Sequence, residues 1–208
     1  MTITIKLNAA NARFLLRAVL PAASKDVTRE SLCGIHLTVR DGFIVATATD
    51  GHRLHRASVQ WVPFEVEGGE LPPTGALLIP RAGAEAALKA VPAPKRGQAP
   101  ALATFTAEGF ATDSASVRWV GLDASAFPDA DRVIATTVYG DKHKPTPTLG
   151  VSPRYLVDAA EACALLDPTI AMVWHQPPTA FDPVRIEATG YPHAEKATVL
   201  AVIMPVRL

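Results

Sequence analysis

One order of elements returns three times along this chain, and that periodicity limits the fold more than any single motif. Residues 2–7 alternate apolar and polar like a strand, and residues 8–22 switch to helical spacing, with Phe14, Leu15, Ala18 and Val19 on one face. Asn8 stands where an N-cap belongs, and Pro21 helps end the helix. Three strand-like runs follow, residues 32–40, 43–49 and 53–61, separated by Asp41-Gly42 and Asp50-Gly51. Asp-Gly between alternating apolar runs is the strongest short hairpin signal, because glycine accepts the positive φ of a tight turn.

The same plan returns after an acidic connector containing Gly and Pro (65–74): strand 76–80, helix 81–90, then strands near 102–106, 109–112 and 116–122. A Pro-rich linker (142–147) leads to the third set, with strand 148–151 and a helix from Ser152. There Ser152 is the N-cap, Pro153 takes the first helical position, and Tyr155, Leu156, Ala159, Ala160 and Cys163 form the apolar stripe. Strands near 170–174, 184–188 and 198–206 complete it. The fold class expected is α+β, built from three βαβββ units of about sixty residues each. Residues 1–140 form a domain of two units (about 1–64 and 65–140), and 141–208 a linker with a single half-domain.

Composition narrows the function. Twenty basic residues balance twenty acidic ones, so affinity for nucleic acid must come from a local patch, and tight sequence-specific DNA binding is disfavoured. Cys33 and Cys163 are the only cysteines and lie far apart in apolar surroundings. They suit buried, reduced thiols of a cytosolic protein better than a disulfide framework. The opening MTITIKL lacks a basic region before a long apolar run, and no stretch of about eighteen apolar residues occurs. A soluble cytoplasmic protein, neither exported nor membrane-bound, is the expectation.

No GxSxG, GxxxxGK[ST] or HExxH motif is present, and neither cysteine has a telling histidine nearby. His52 and His55 are three apart, which in a strand sends them to opposite faces, so shared metal ligation would need a bulge or turn. A zinc-dependent hydrolase using this pair is one alternative. The reading adopted has no catalytic residues, no metal and no cofactor.

ATDGHRL at 48–54, FPDADRV at 127–133 and VIMPVRL at 202–208 together resemble the bacterial DNA polymerase III beta subunit family, the sliding clamps. All three segments fall in the units, and in the order, where that family carries them. The resemblance covers the family's middle domain and the second half of its last. Ser31 and Ala135 depart from it, standing where an aromatic residue and a proline are usual.

The resemblance implies the DNA-clamp fold, with helices on one face of antiparallel sheets and a pocket for short peptide motifs of polymerases and other DNA enzymes. Carried over, the pocket wall comprises Arg29, Leu32, Thr49, Gly51, His52, Arg53 and Leu54 from the first unit. Tyr155, Val202, Met204, Pro205, Val206, Arg207 and Leu208 come from the third. Apolar side chains form a trough, a methionine adapts to varied partners, and His52 and Arg53 offer polar anchors.

Double-stranded DNA, bound without sequence preference, is the other partner the resemblance implies. Arg13, Arg17, Lys25, Arg81, Lys89, Lys95 and Arg96, on or just beyond the first two helices, are the phosphate-contact candidates, with a solvated helix face as the alternative. Rings of the family close with twelve units, so three units per chain imply a homotetramer. A clamp-derived decoy that binds the same peptides without closing a ring is the alternative function.

Overall fold

In the computed structural model, which describes residues 3–62, 75–92, 101–139, 144, 148–192 and 195–206, the first unit runs β1 (Thr4–Asn8), α1 (Ala9–Val19), β2 (Gly34–Arg40), β3 (Phe43–Thr49) and β4 (Arg53–Gln60). The second runs β5 (Ala76–Pro80), α2 (Arg81–Ala90), β6 (Leu102–Thr106), β7 (Gly109–Ala111) and β8 (Ser116–Arg118), followed by the short helix α3 (Ala130–Ala135). The third has α4 (Pro153–Ala164), β9 (Val173–His175), β10 (Val184–Gly190) and β11 (Ala197–Ile203). These four helices and two antiparallel sheets make the α+β fold that the periodicity implies.

The first two units exchange their leading strands. β1 pairs with β6, opening a four-stranded sheet β1-β6-β7-β8, while β5 pairs with β2 at one end of a seven-stranded sheet β5-β2-β3-β4-β11-β10-β9. Each leading strand runs straight into its helix, so the exchange also sets where the helices lie. α1 packs on β3 and β4, α4 packs on β10 and β11, and α1 touches both α2 and α4. Ile5, Leu15, Leu16, Ile35, Ile79, Phe105, Phe110, Ile186 and Ile203 are among the large side chains fully removed from water. Each such burial contributes roughly 1.5–3 kcal/mol.

Local chemistry explains the element ends. The Asn8 side chain accepts from the Asn11 amide at 2.7 Å, capping α1. Asp41 and Gly42 both hold positive φ, 51° and 76°, as a tight hairpin between β2 and β3 requires. Ser152 precedes α4 without a side-chain cap bond, and Pro153 supplies the preorganised start instead.

Three expectations shift. Residues 148–151 are not a strand, because a strand needs a partner edge and the third unit has no exchange partner among the described residues. β8 ends at Arg118, leaving only an isolated bridge between Leu78 and Leu122. Cys33 is half-buried, its Sγ donating to the Asp26 carbonyl, whereas Cys163 is fully buried and its thiol is pushed up to about 11 by that burial. Among the described residues no helix is long and apolar enough to cross a membrane.

Candidate functional site: an apolar cavity where two units meet

The Asp50-Gly51 segment is a turn held by its own side chains. The Asp50 carboxylate accepts from the amides of His52 and Arg53 at 2.9 and 3.0 Å, and the Thr49 hydroxyl donates to the Arg53 carbonyl while accepting from the Gly51 amide. Gly51 sits at φ 88°, and a Cβ there would lie 2.6 Å from Nη2 of Arg29. Arg29 closes over the turn by donating to the Asp50 carbonyl at 2.9 Å. The backbone conformation therefore favours glycine, and a side chain there would also push the Arg29 guanidinium aside.

Beyond the turn, β4 joins β11 in continuous antiparallel register, with Leu54 opposite Val202 and Arg53 opposite Ile203. The ladder continues past the strand end, where the Met204 amide donates to the His52 carbonyl at 2.9 Å. Leu54 and Val202 are buried and pack with Ala130, Phe127, Ile134 and Leu200 in a small cluster separate from the main core. Above them lies a cavity of about 230 Å³ lined by Arg29, Leu32, Thr49, Gly51, Arg53, Leu54, Pro128, Ala130, Val133, Val202 and Met204. Met204 and Val133 are 40% and 38% exposed at its mouth. Such a site offers apolar side chains somewhere to bury and few polar groups that must be matched.

Pro128, Ala130 and Val133 were not among the residues expected to form the wall. They belong to the FPDADRV segment, which is fixed across the first unit's sheet by two contacts. The Phe127 ring stacks on His36, centroids 4.8 Å apart and 7° from parallel. Asp131 takes hydrogen bonds from Arg40 and Arg56, and these, Arg40 foremost, pull its carboxyl down to about 2. His36, half-buried on the same sheet, is held below its ordinary range by burial and then by the charge of Arg40 and Arg56. The quoted motif was itself the available signal.

Arg53 lines the cavity and also meets groups of the third unit. It is 7% exposed, and its guanidinium donates to Asp50 at 3.2 Å, to Asp158 of α4 and to the Pro21 carbonyl, while lying 4.5 Å from the Tyr155 ring centroid. It staples the first unit to the third. Tyr155 thus borders an adjoining hollow with Pro21, Asp50, Arg53 and Asp158 instead of the apolar cavity. His52 is exposed at the rim. Pro205 is half-buried and Val206 exposed, the Val206 amide donating to the Gly150 carbonyl at 2.9 Å. Arg207 and Leu208 lie outside the described residues.

His55 is fully buried on the opposite face, its Nδ1 2.9 Å from the Ala18 carbonyl and its Nε2 without a partner. Burial lowers its pKa to about 4. His52 and His55 do not converge, and among the described residues no three His, Cys, Asp or Glu side chains gather as a metal site would require.

The basic residues on the helices fall into two groups. Arg13 donates to the Leu88 and Val91 carbonyls at the end of α2, and Arg81 donates to the Leu20 and Ala23 carbonyls beyond α1, so each arginine completes the other helix's C-terminus. Arg17, Lys25 and Lys89 are exposed. Lys95 and Arg96 lie outside the described residues.

No protein-family model matches the sequence, and no curated protein matches it either. The fold, however, is shared with solved structures. A DnaN sliding clamp (DNA polymerase III subunit beta) from Bartonella birtlesii bound to griselimycin superposes with a TM-score of 0.66 at 22% identity, over 99% of this chain and 66% of that one. The DNA polymerase III beta subunit from Thermotoga maritima gives 0.66 at 15% identity, with the same two shares. A Pseudomonas aeruginosa DNA polymerase sliding clamp with ligand gives 0.68 at 15% identity, again over 99% and 66%. The chain has the sliding-clamp fold and spans about 66% of the length of these chains.

Proposed function

We propose that this chain is a non-enzymatic sliding clamp that holds DNA-processing proteins to duplex DNA, docking short peptide segments of those proteins in the cavity between its first and third units. The apolar cavity over the Leu54–Val202 pair, rimmed by Met204 and closed by Pro128 and Val133, carries the reading. Two large side chains inserted there would contribute roughly 1.5–3 kcal/mol each. Ordering costs reduce this to an exchangeable affinity on the order of micromolar. The exposed Arg17, Lys25 and Lys89 supply loose phosphate contacts, and a neutral chain suits a ring that stays on DNA by topology.

The test is fluorescence anisotropy with a labelled peptide carrying a glutamine and a hydrophobic end. Binding in the micromolar range is expected, and deleting residues 204–208 should abolish it; unchanged affinity would remove the assignment. Replacing Arg17, Lys25 and Lys89 with alanine should shorten residence on DNA more at low salt than at high salt. Solution mass separates ring from decoy, with about 88 kDa expected for four copies of 22.0 kDa.

A further inference from the structure

We propose that two copies of this chain exchange strands through their third units, residues 148–152 of each adding antiparallel to the outer edge of β9 in the other. This specifies one junction of the assembly proposed above and is independent of whether the cavity binds peptides.

The inference comes from comparing the three units. In the first two, the strand that leads into the helix leaves its own unit and covers the edge of the other unit's second strand: β5 on β2 and β1 on β6. The registers agree as well. The residue just before each helix faces the first residue of the strand it covers, Pro80 opposite Gly34 and Asn8 opposite Leu102. Among the described residues the third unit has both halves of this device and neither strand pairing. Its second strand, β9, ends the seven-stranded sheet with its outer edge uncovered among the described residues. Its leading segment, 148–152, runs straight into α4 as the others run into α1 and α2, yet belongs to no sheet.

The consequence is visible in burial. β2 spans seven residues and β6 five, each with buried positions, whereas β9 is three residues long and none is buried. Val173 and Trp174 are 51% and 46% exposed on it. An uncovered strand edge with apolar side chains is a template for another strand. A second copy is the occupant that fits, because a leading segment and an open edge on the same unit satisfy each other only when two such units meet. The contact is reciprocal, so it forms around a two-fold axis. Leu149 and Val151 already pack against the core at the root of the segment, which keeps it beside the helix that fixes its direction.

Two variants separate exchange from simple edge contact. Leu149→Pro with Val151→Pro removes amides from the donor segment, and Val173→Glu with Trp174→Glu places charge on the acceptor edge. By light scattering at micromolar concentration each variant alone should fall from the wild-type mass to 44 kDa or below, at most two copies of 22.0 kDa. Mixed, the two should regain heavier particles containing both chains, since each lends what the other lacks. A wild-type chain that is monomeric, a folded donor variant or an acceptor variant that keeps the wild-type mass, or a mixture that does not recover would each overturn the exchange. If the donor variant loses its circular dichroism, Thr148→Pro, at an exposed position of the same segment, takes its place. The peptide titration is run on the same samples, so failed exchange with retained binding is told apart from failure of the cavity reading.

Discussion

Replacing Arg53 with methionine tests whether this residue serves the junction between units or the ligand. The substitution keeps an apolar stem of similar length and removes a guanidinium that meets Asp50, Asp158, the Pro21 carbonyl and the Tyr155 ring. Arg53 is 7% exposed and the side chains of both partner carboxylates 19%, so the charges left behind are poorly hydrated. Removing one member of a buried ion pair costs about 3–5 kcal/mol. With a urea dependence of about 2 kcal/mol per molar, the unfolding midpoint should drop by roughly 1.5–2.5 M. Asp158→Asn leaves Asp50 in place and should cost less, about 1–2 kcal/mol. Because the two side chains touch, the double variant should fall short of the summed effects by about 1–3 kcal/mol. Peptide affinity of the folded Arg53→Met protein should stay within about threefold, an energy difference below 1 kcal/mol. A stability loss under about 1 kcal/mol with a tenfold weaker peptide would put the guanidinium on the ligand and refute the staple.

Three further outcomes follow from individual residues. His55 is held neutral by burial at about 4, below the 6.5 of an exposed imidazole, so the unfolded chain takes the proton first as pH falls. Stability should be fully present above about pH 6.5 and decline by about 3 kcal/mol toward pH 4; urea midpoints of His55→Leu that run parallel to the wild type would contradict this. Asp131, lowered to about 2 chiefly by Arg40, contributes above about pH 4 and loses its contribution as pH falls through 2. Its side chain is 58% exposed, which cuts the contribution to about 1 kcal/mol; Asp131→Asn should show that loss at pH 7 and weaken peptide binding a few-fold, and identical thermal melts would rule it out. Gly51→Ala should cost about 1–2 kcal/mol and lower peptide affinity by displacing Arg29, and a variant that melts and binds like the wild type would show that the turn tolerates a side chain.

Local signals carried much of the fold. The ranges of β3, β5 and α2 follow the apolar periodicity to the residue, because each begins or ends at Gly, Pro or Asp-Gly punctuation that fixes φ locally. What the letters could not carry was pairing. Apart from Gly150, residues 148–151 read as a strand much as residues 76–80 do, but strand formation depends on an edge supplied from elsewhere in the fold. The cavity divided along the same line. Gly51, Leu54, Val202 and Met204 were legible from motifs and Leu32 from the resemblance, while Pro128, Ala130 and Val133 reach it because Asp131 and Phe127 are anchored on β2 and β4, far from them in sequence. Arg53 was visible as a charge, but a charge in a sequence does not say which carboxylate will meet it.

The two kinds of junction within the chain limit how the proposed ring closes. One kind is strand exchange, seen between the first and second units. The other is edge pairing of last strands, seen where β4 meets β11. The first unit takes part in one of each, the second only in exchange and the third only in edge pairing, which among the described residues leaves an exchange position open at β9 and a last-strand edge open at β8. Both observed junctions join like with like in antiparallel sense. Head-to-tail closure would instead set a last-strand edge against an exchange position, a contact with no counterpart in the molecule. Pairing third unit with third unit and second with second repeats the observed contacts, and each new junction then has its own two-fold axis. Four copies joined this way alternate the two junctions around the ring and place cavities on both of its faces. The expected arrangement is therefore dihedral, with β8 of one copy antiparallel to β8 of the next. Val117→Glu on that strand should open the ring to dimers of about 44 kDa held by the third units alone, two copies of 22.0 kDa. A structure with cyclic four-fold symmetry would break the like-with-like rule while leaving the count of four copies intact.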